Sequence, residues 1–148
     1  MGQKTTVTRR NGFSLLEVLL VLVMAGLVMG VVATSLTEGP VLRKSAREVA
    51  ASLRHARSIA ILQQKEMVWS MDIQEKNFWV TGKGEKRDLH RAVAAKINTA
   101  SSEVVSARQG NIRFYPDGSS TGGSVELTMR GQTFKVNVEW ISGRISTL

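Results

Sequence analysis

Arg9-Arg10-Asn11-Gly12-Phe13-Ser14-Leu15-Leu16-Glu17 opens into an apolar run that continues to Leu36. From Leu15 to Leu36 the one charged residue is Glu17; the rest is Val, Leu, Met, Ala, Gly and small hydroxyl residues. As a helix at about 1.5 Å per residue this run is roughly 33 Å long, enough for a bilayer core of about 30 Å. Lys4, Arg9 and Arg10 precede it. The positive-inside rule therefore keeps residues 1–12 cytoplasmic and sends the remainder outward, a single-span orientation. Glu17 conflicts with this surrounding, because a carboxylate costs on the order of 2.5–3.5 kcal/mol at the centre of a membrane helix and less near the interface. Either it lies shallow enough to stay hydrated, or it needs a cationic partner. A cut between Gly12 and Phe13 would create one, since each new amino terminus is a cation four residues from Glu17.

Gly12-Phe13-Ser14-Leu15-Leu16-Glu17-Val18-Leu19 resembles the class III signal of type IV pilins and type II secretion pseudopilins. The resemblance implies that a membrane prepilin peptidase cuts after Gly12 and methylates Phe13, and that Glu17 is the assembly carboxylate. A competing reading takes Ala33-Thr34-Ser35 as the cleavage site of an ordinary secretory signal. In that case Glu17 is an unexplained charge.

The chain has 148 residues, a formal net charge of +8 and no cysteine. One domain's worth of chain remains beyond the apolar run, and neither a disulfide framework nor a thiolate metal site is available to it. The basic balance points to an anionic partner or simply to a solvated basic surface.

Gly39-Pro40 interrupts the helical pattern and predicts a kink there. Beyond it Leu42, Ala46, Val49, Leu53, Ala56 and Ala60 recur at spacings of four and three, one amphipathic face that should extend to about Gln64. From Met67 the period approaches two. Residues 67–73 and 77–81 read as paired strands and 82–87 as a glycine-punctuated loop, while 89–97 fits either strand or helix, with strand preferred. Residues 99–110 read as a loop, and 111–115, 124–130, 133–141 and 144–147 as strands. Gly131-Gln132 is the expected hairpin turn between the penultimate pair. Trp69, Trp79, Trp140, Phe114 and Phe134 fall on strand positions and are expected in the core.

Ile112-Arg113-Phe114-Tyr115-Pro116-Asp117-Gly118-Ser119-Ser120-Thr121-Gly122-Gly123 and Val138-Glu139-Trp140-Ile141-Ser142-Gly143-Arg144-Ile145 are similar to the general secretion pathway protein H family. Ala56-Arg57-Ser58-Ile59-Ala60-Ile61 fits it too. Pro116, Asp117, Gly118, Gly122 and Gly123 form the turn motif of that resemblance. Ser119 to Gly123 superficially suggests a phosphate-binding loop, but the Lys of a P-loop is missing and no helix pattern follows.

His55 and His90 lie in different segments without a second ligand at metal spacing, His55 facing solvent. No nucleophile elbow or acidic cluster appears, so neither an enzyme nor a metal or other cofactor is expected. DNA binding would need a stripe from Lys83, Lys86, Arg87 and Arg91; only Arg144 is basic near the carboxy terminus, and the scattered charges argue against nucleic acid as partner.

The expectation is an α+β, pilin-like fold in which a long amino-terminal helix packs its second half on an antiparallel, β-sandwich-like head. Its parts are a leader at 1–12, a transmembrane and assembly helix at 13–38, its amphipathic continuation at 39–65 and a periplasmic head at 66–148. The resemblance implies a structural minor pseudopilin of the type II secretion system, near the tip of a periplasmic pseudopilus and anchored in the bacterial inner membrane. Its partners would be other major and minor pseudopilins, the prepilin peptidase and the secretion platform proteins, with no small-molecule substrate. A minor type IV pilin, priming a pilus or taking up DNA, is the alternative.

Overall fold

The computed structural model describes residues 14–36 and 38–148, with side chains for 14–30 and 39–148. Two compact units divide at Thr37. The first is helix α1 (Leu15–Leu36). Ser14 opens it, its carbonyl accepting from the backbone N–H groups of Glu17 (2.9 Å) and Val18 (3.2 Å). Glu17 stands in this first turn, where free N–H groups and the helix dipole favour negative charge. The large apolar side chains between Leu15 and Met29 are exposed on every side of the helix. Among the described residues no helix is long and apolar enough to cross a membrane. The described side chains of α1 end at Gly30, about 24 Å of helix, while its helical backbone continues to Leu36.

The second unit begins with α2 (Glu38–Gln63). Gly39 and Pro40 sit in its first turn, where a missing N–H donor breaks no internal bond. The stripe Leu42, Ala46, Val49, Leu53, Ala56 and Ala60 is fully buried, as its spacing predicts. Eight strands follow: β1 (Met67–Asp72), β2 (Asn77–Val80), β3 (Arg87–Asp88), β4 (Ala94–Thr99), β5 (Gln109–Phe114), β6 (Gly123–Met129), β7 (Gln132–Val138) and β8 (Ile145–Thr147). They form two four-stranded antiparallel sheets, ordered β3-β2-β1-β5 and β4-β6-β7-β8. α2 touches strands of both, and the inward residues of both join its stripe in one core. Trp69 is central to it. Its ring lies 5.7 Å from that of Phe78, and its indole N–H donates to Ser52 Oγ at 3.0 Å. Arg113 ties β5 to the segments that lead into β1 and into β5 itself, donating through Nε to Glu103 Oε1 (2.9 Å) and through Nη1 to Glu66 Oε2 (3.0 Å). Glu103 is buried, and the hydrogen bond to its carboxylate pushes the Arg113 pKa further up.

Several sequence expectations need correction. The segment 89–97 is strand only from Ala94, because residues before it turn to bury Leu89 and Val93. The 82–87 loop ends in the short edge strand β3, and the 99–110 loop contains a 3-10 turn at Ser101–Glu103 before β5 starts at Gln109. The hairpin between β6 and β7 turns at Arg130 (φ 45°) and Gly131 (φ 81°), leaving Gln132 paired with Met129. Two positive φ values match the twist of the flanking strands. The largest revision is at the end of β7, which stops at Val138 rather than Ile141. Glu139 to Gly143 is a turn closed by Gly143 N donating to Glu139 O at 2.8 Å, and it leaves Trp140 66% and Ile141 64% exposed. Trp140 is therefore not core. Trp69 and Phe114 are buried as expected, whereas Trp79 and Phe134 are half-buried.

That turn is clamped to the rest of the head. Arg57 of α2 donates from Nε to Gly118 O at 2.9 Å, and Ser120 N donates to Trp140 O at 2.9 Å. A Cβ on Gly143 would lie 2.1 Å from Gly118 O and 2.9 Å from Arg57 Nε. Only glycine permits three chain segments to meet there.

Two stability measurements test this packing on the full-length chain in detergent. Ser52→Ala should destabilise the head by about 1–3 kcal/mol, by leaving the buried Trp69 N–H unpaired, although alanine is the better helix former. Gly131→Ala meets open space and should cost only the ~1–2 kcal/mol of a left-handed backbone. Gly143→Ala must also displace backbone and should cost clearly more, seen as a larger drop in denaturation midpoint or as protein that does not accumulate.

Candidate assembly site

The expected processing site, Gly12 and Phe13, lies outside the described residues. Its assigned carboxylate, Glu17, is on the exposed first turn of α1, within a surface otherwise made of Leu, Val and Met. Gly26 and Gly30 face open space, with no atom within 4 Å of where a Cβ would stand. Such an apolar surface is stable only against lipid or other apolar helices, since exposing it to water costs about 25 cal/mol per Å². The chemistry available here is association, with Glu17 as its one charged determinant.

The head presents a second group of residues. Pro116, Asp117 and Gly118 turn the chain after β5, with Tyr115 N donating to Ser119 O (3.0 Å) and Gly118 N to Tyr115 O (2.9 Å). The Asp117 carboxylate accepts from Ser119 Oγ (2.6 Å) and Ser119 N (3.0 Å), and these bonds hold its pKa below the usual value. Ser120 Oγ accepts from Gly122 N at 2.9 Å and donates to Glu139 O at 3.2 Å. Gly122 lies against the Cβ of Trp140, and Gly123 against the carbonyl of Asn98. The polar groups of this segment thus serve one another and the neighbouring turn, the behaviour of a structural turn rather than of a phosphate cradle.

Between α2 and the Glu139–Gly143 turn lies a recess of about 630 Å³, lined by Arg54, Arg57, Ser58, Glu139, Ser142, Arg144 and Ile145. Arg144 pairs with Glu139 at 3.5 Å, and Ser142 Oγ donates to the same carboxylate at 2.7 Å. No described carboxylate is within ion-pair distance of Arg54 or Arg57. This convergence is not legible in any one segment, because Arg54 and Arg144 are far apart in the chain. The phase of Arg54 and Arg57 on α2, just beside the buried stripe, was the available signal.

The residues of the candidate basic stripe each have contacts of their own. Lys83 and Arg87 line a smaller recess of about 170 Å³ with His55 and Glu85. Lys86 Nζ lies 4.8 Å from the centroid of the Trp79 ring, and Arg91 accepts through its carbonyl from Lys76 Nζ. Among the described residues no group of three or more His, Asp or Glu side chains could hold a metal ion; His90 Nδ1 instead accepts from Ala92 N.

Comparison with known proteins bears on both ends of the chain. Residues 7–33 match the prokaryotic N-terminal methylation motif, and residues 45–143 match the family described as type II transport protein GspH. The type II secretion system protein H of Xanthomonas campestris pv. campestris is 35% identical over 144 residues, covering 94% of this chain and 85% of that protein. Among solved structures, the type IV minor pilin FimU of Pseudomonas aeruginosa superposes with a TM-score of 0.59 at 20% identity, covering 76% of this chain and 92% of that one. The minor pseudopilin EpsH from the type 2 secretion system of Vibrio cholerae gives 0.57 at 14% identity, covering 73% and 96%. These two likenesses establish the fold as pilin-like. With a family match across most of the head and a relative matched nearly end to end, the chain belongs to the family of the type II transport protein GspH.

Proposed function

We propose that this protein is a minor pseudopilin of a type II secretion system, a structural subunit that joins a short periplasmic filament near its tip. The observation that carries the reading is α1: a helix apolar on every face, with one carboxylate in its first turn, next to a match to the N-terminal methylation motif. The secretion role rests on the relative of 35% identity, a type II secretion system protein, and distinguishes this reading from a pilus subunit.

In this reading residues 1–12 are a leader that a prepilin peptidase removes, leaving Phe13 as a methylated amino terminus. Residues 13–38 anchor the protein in the inner membrane, and 39–65 continue as the amphipathic helix of a periplasmic head at 66–148. Gly39 and Pro40 are the residues at which a helix running on from the anchor would kink. Assembly transfers α1 from lipid to a bundle of like helices. The environment remains apolar throughout, so the step leaves Glu17 as the group whose energy changes most. The Phe13 amine of a neighbouring subunit is a cation of the right reach to pair with it. The other pseudopilins and the secretion platform are the partners, and the role requires no catalytic group or cofactor.

Glu17→Gln tests this reading. The variant should insert and lose its leader normally, yet its recovery in isolated filaments should fall about tenfold, equivalent to ~1.4 kcal/mol of lost pairing. Glu17→Gln protein recovered at the wild-type level, with full secretion, would exclude charge pairing as the assembly determinant.

A further inference from the structure

We propose that the recess between α2 and the Glu139–Gly143 turn is a docking site for an acidic side chain on another pilin-like subunit, with Trp140 and Ile141 as its apolar anchors. The inference rests on the subunit role proposed above and assigns it a surface on the head. Three guanidinium groups, from Arg54, Arg57 and Arg144, line one concave space of about 630 Å³. The single acid there, Glu139, is already engaged by Arg144 and Ser142, and Arg54 and Arg57 have no described ion-pair partner. Planar guanidinium groups match a carboxylate through two parallel hydrogen bonds, and partial desolvation in a recess strengthens such pairs over those on an open surface.

The adjoining apolar residues decide the kind of partner. Trp140 and Ile141 belong to the same turn that supplies Glu139 and Ser142, and about two-thirds of each is exposed. The turn is rigid: Arg57 holds Gly118, Ser120 holds the Trp140 carbonyl, and Gly143 is packed against Gly118. An exposed tryptophan on the turn that adjoins Arg54, whose guanidinium has no described partner, has the composition of an interface centre, where Trp and Arg are enriched. A nucleic-acid backbone presents a line of phosphates and calls for a track of cations. Here the positive groups converge on one place, with Glu139 among them. A carboxylate flanked by an apolar side chain, as on a folded protein surface, fits better.

The test uses the full-length chain in detergent micelles, titrated with each of the other full-length pilin-like subunits of the same secretion system. Arg54→Glu and Trp140→Ala are the variants. Arg54 makes no structural bond, and the alanine retains the Cβ that lies over Gly122. One subunit should bind, both variants should weaken it about tenfold with unchanged thermal midpoints, and a Glu→Lys or Asp→Lys change on that partner should restore binding to the Arg54→Glu chain. Unchanged affinity in both variants, no binding by any subunit, or an effect confined to a short DNA duplex would each overturn the proposal. Loss of docking alongside normal Glu17→Gln assembly would instead leave the recess standing and remove the charge-paired helix. Normal docking of the variants together with defective Glu17→Gln assembly would remove only the recess.

Discussion

The buried stripe of α2 is the surface on which both sheets of the head depend. Neither sheet is wide, and β3 and β8 are only two and three residues long. Each buries its inner side chains against the same helix, so one buried stripe serves two sheets at once. Alanine at 46, 50, 56 and 60 leaves room for the bulk supplied by Trp69, Phe78 and Phe114 from the strands. Truncating a fully buried leucine such as Leu53 would remove contacts on both sides, in the range of 2–5 kcal/mol known for such cavities. Single polar bonds tie further parts of the head to the same helix: Trp69 of β1 to Ser52, and the turn at Gly118 to Arg57.

α1 and α2 solve opposite problems with the same backbone. α2 concentrates its apolar residues on one stripe and surrounds it with Arg43, Lys44, Arg47, Arg54 and Arg57, so it carries its own partner surface within the chain. α1 has no polar face and must find its partners elsewhere. Glu17 can be accommodated in its first turn by free N–H groups and the helix dipole, which makes a carboxylate tolerable at the start of an otherwise apolar helix. The division between an apolar helix and a folded head follows from this difference in pattern.

Local patterns made much of this architecture legible. The α2 stripe and the strands at 67–73, 77–81, 111–115 and 124–130 follow, to within a residue or two, from periods of 3.6 and 2. The carboxy-terminal turn did not follow. Val138-Glu139-Trp140-Ile141 has the alternation and aromatic content of a strand, but Gly143 closes it as a turn on the Glu139 carbonyl, and Ser120, distant in sequence, holds the Trp140 carbonyl. The basic recess was hidden for a related reason, since it joins the side of a helix to a turn some ninety residues later. Such sites depend on how α2 is rotated against β7 and β8, which no single segment encodes. Nothing in the pattern of residues alone marks Gly12 and Phe13; only the resemblance to a processing signal singles them out.

The central claim, that this chain is a processed filament subunit, is tested most directly at its amino terminus. The measurement is the intact mass and amino-terminal sequence of the full-length protein, made in cells with and without a prepilin peptidase. The account predicts a product that begins at methylated Phe13 only when the peptidase is present. A chain that keeps Met1 under both conditions, or one cut near Ser35, would contradict it and remove Glu17 from any assembly role.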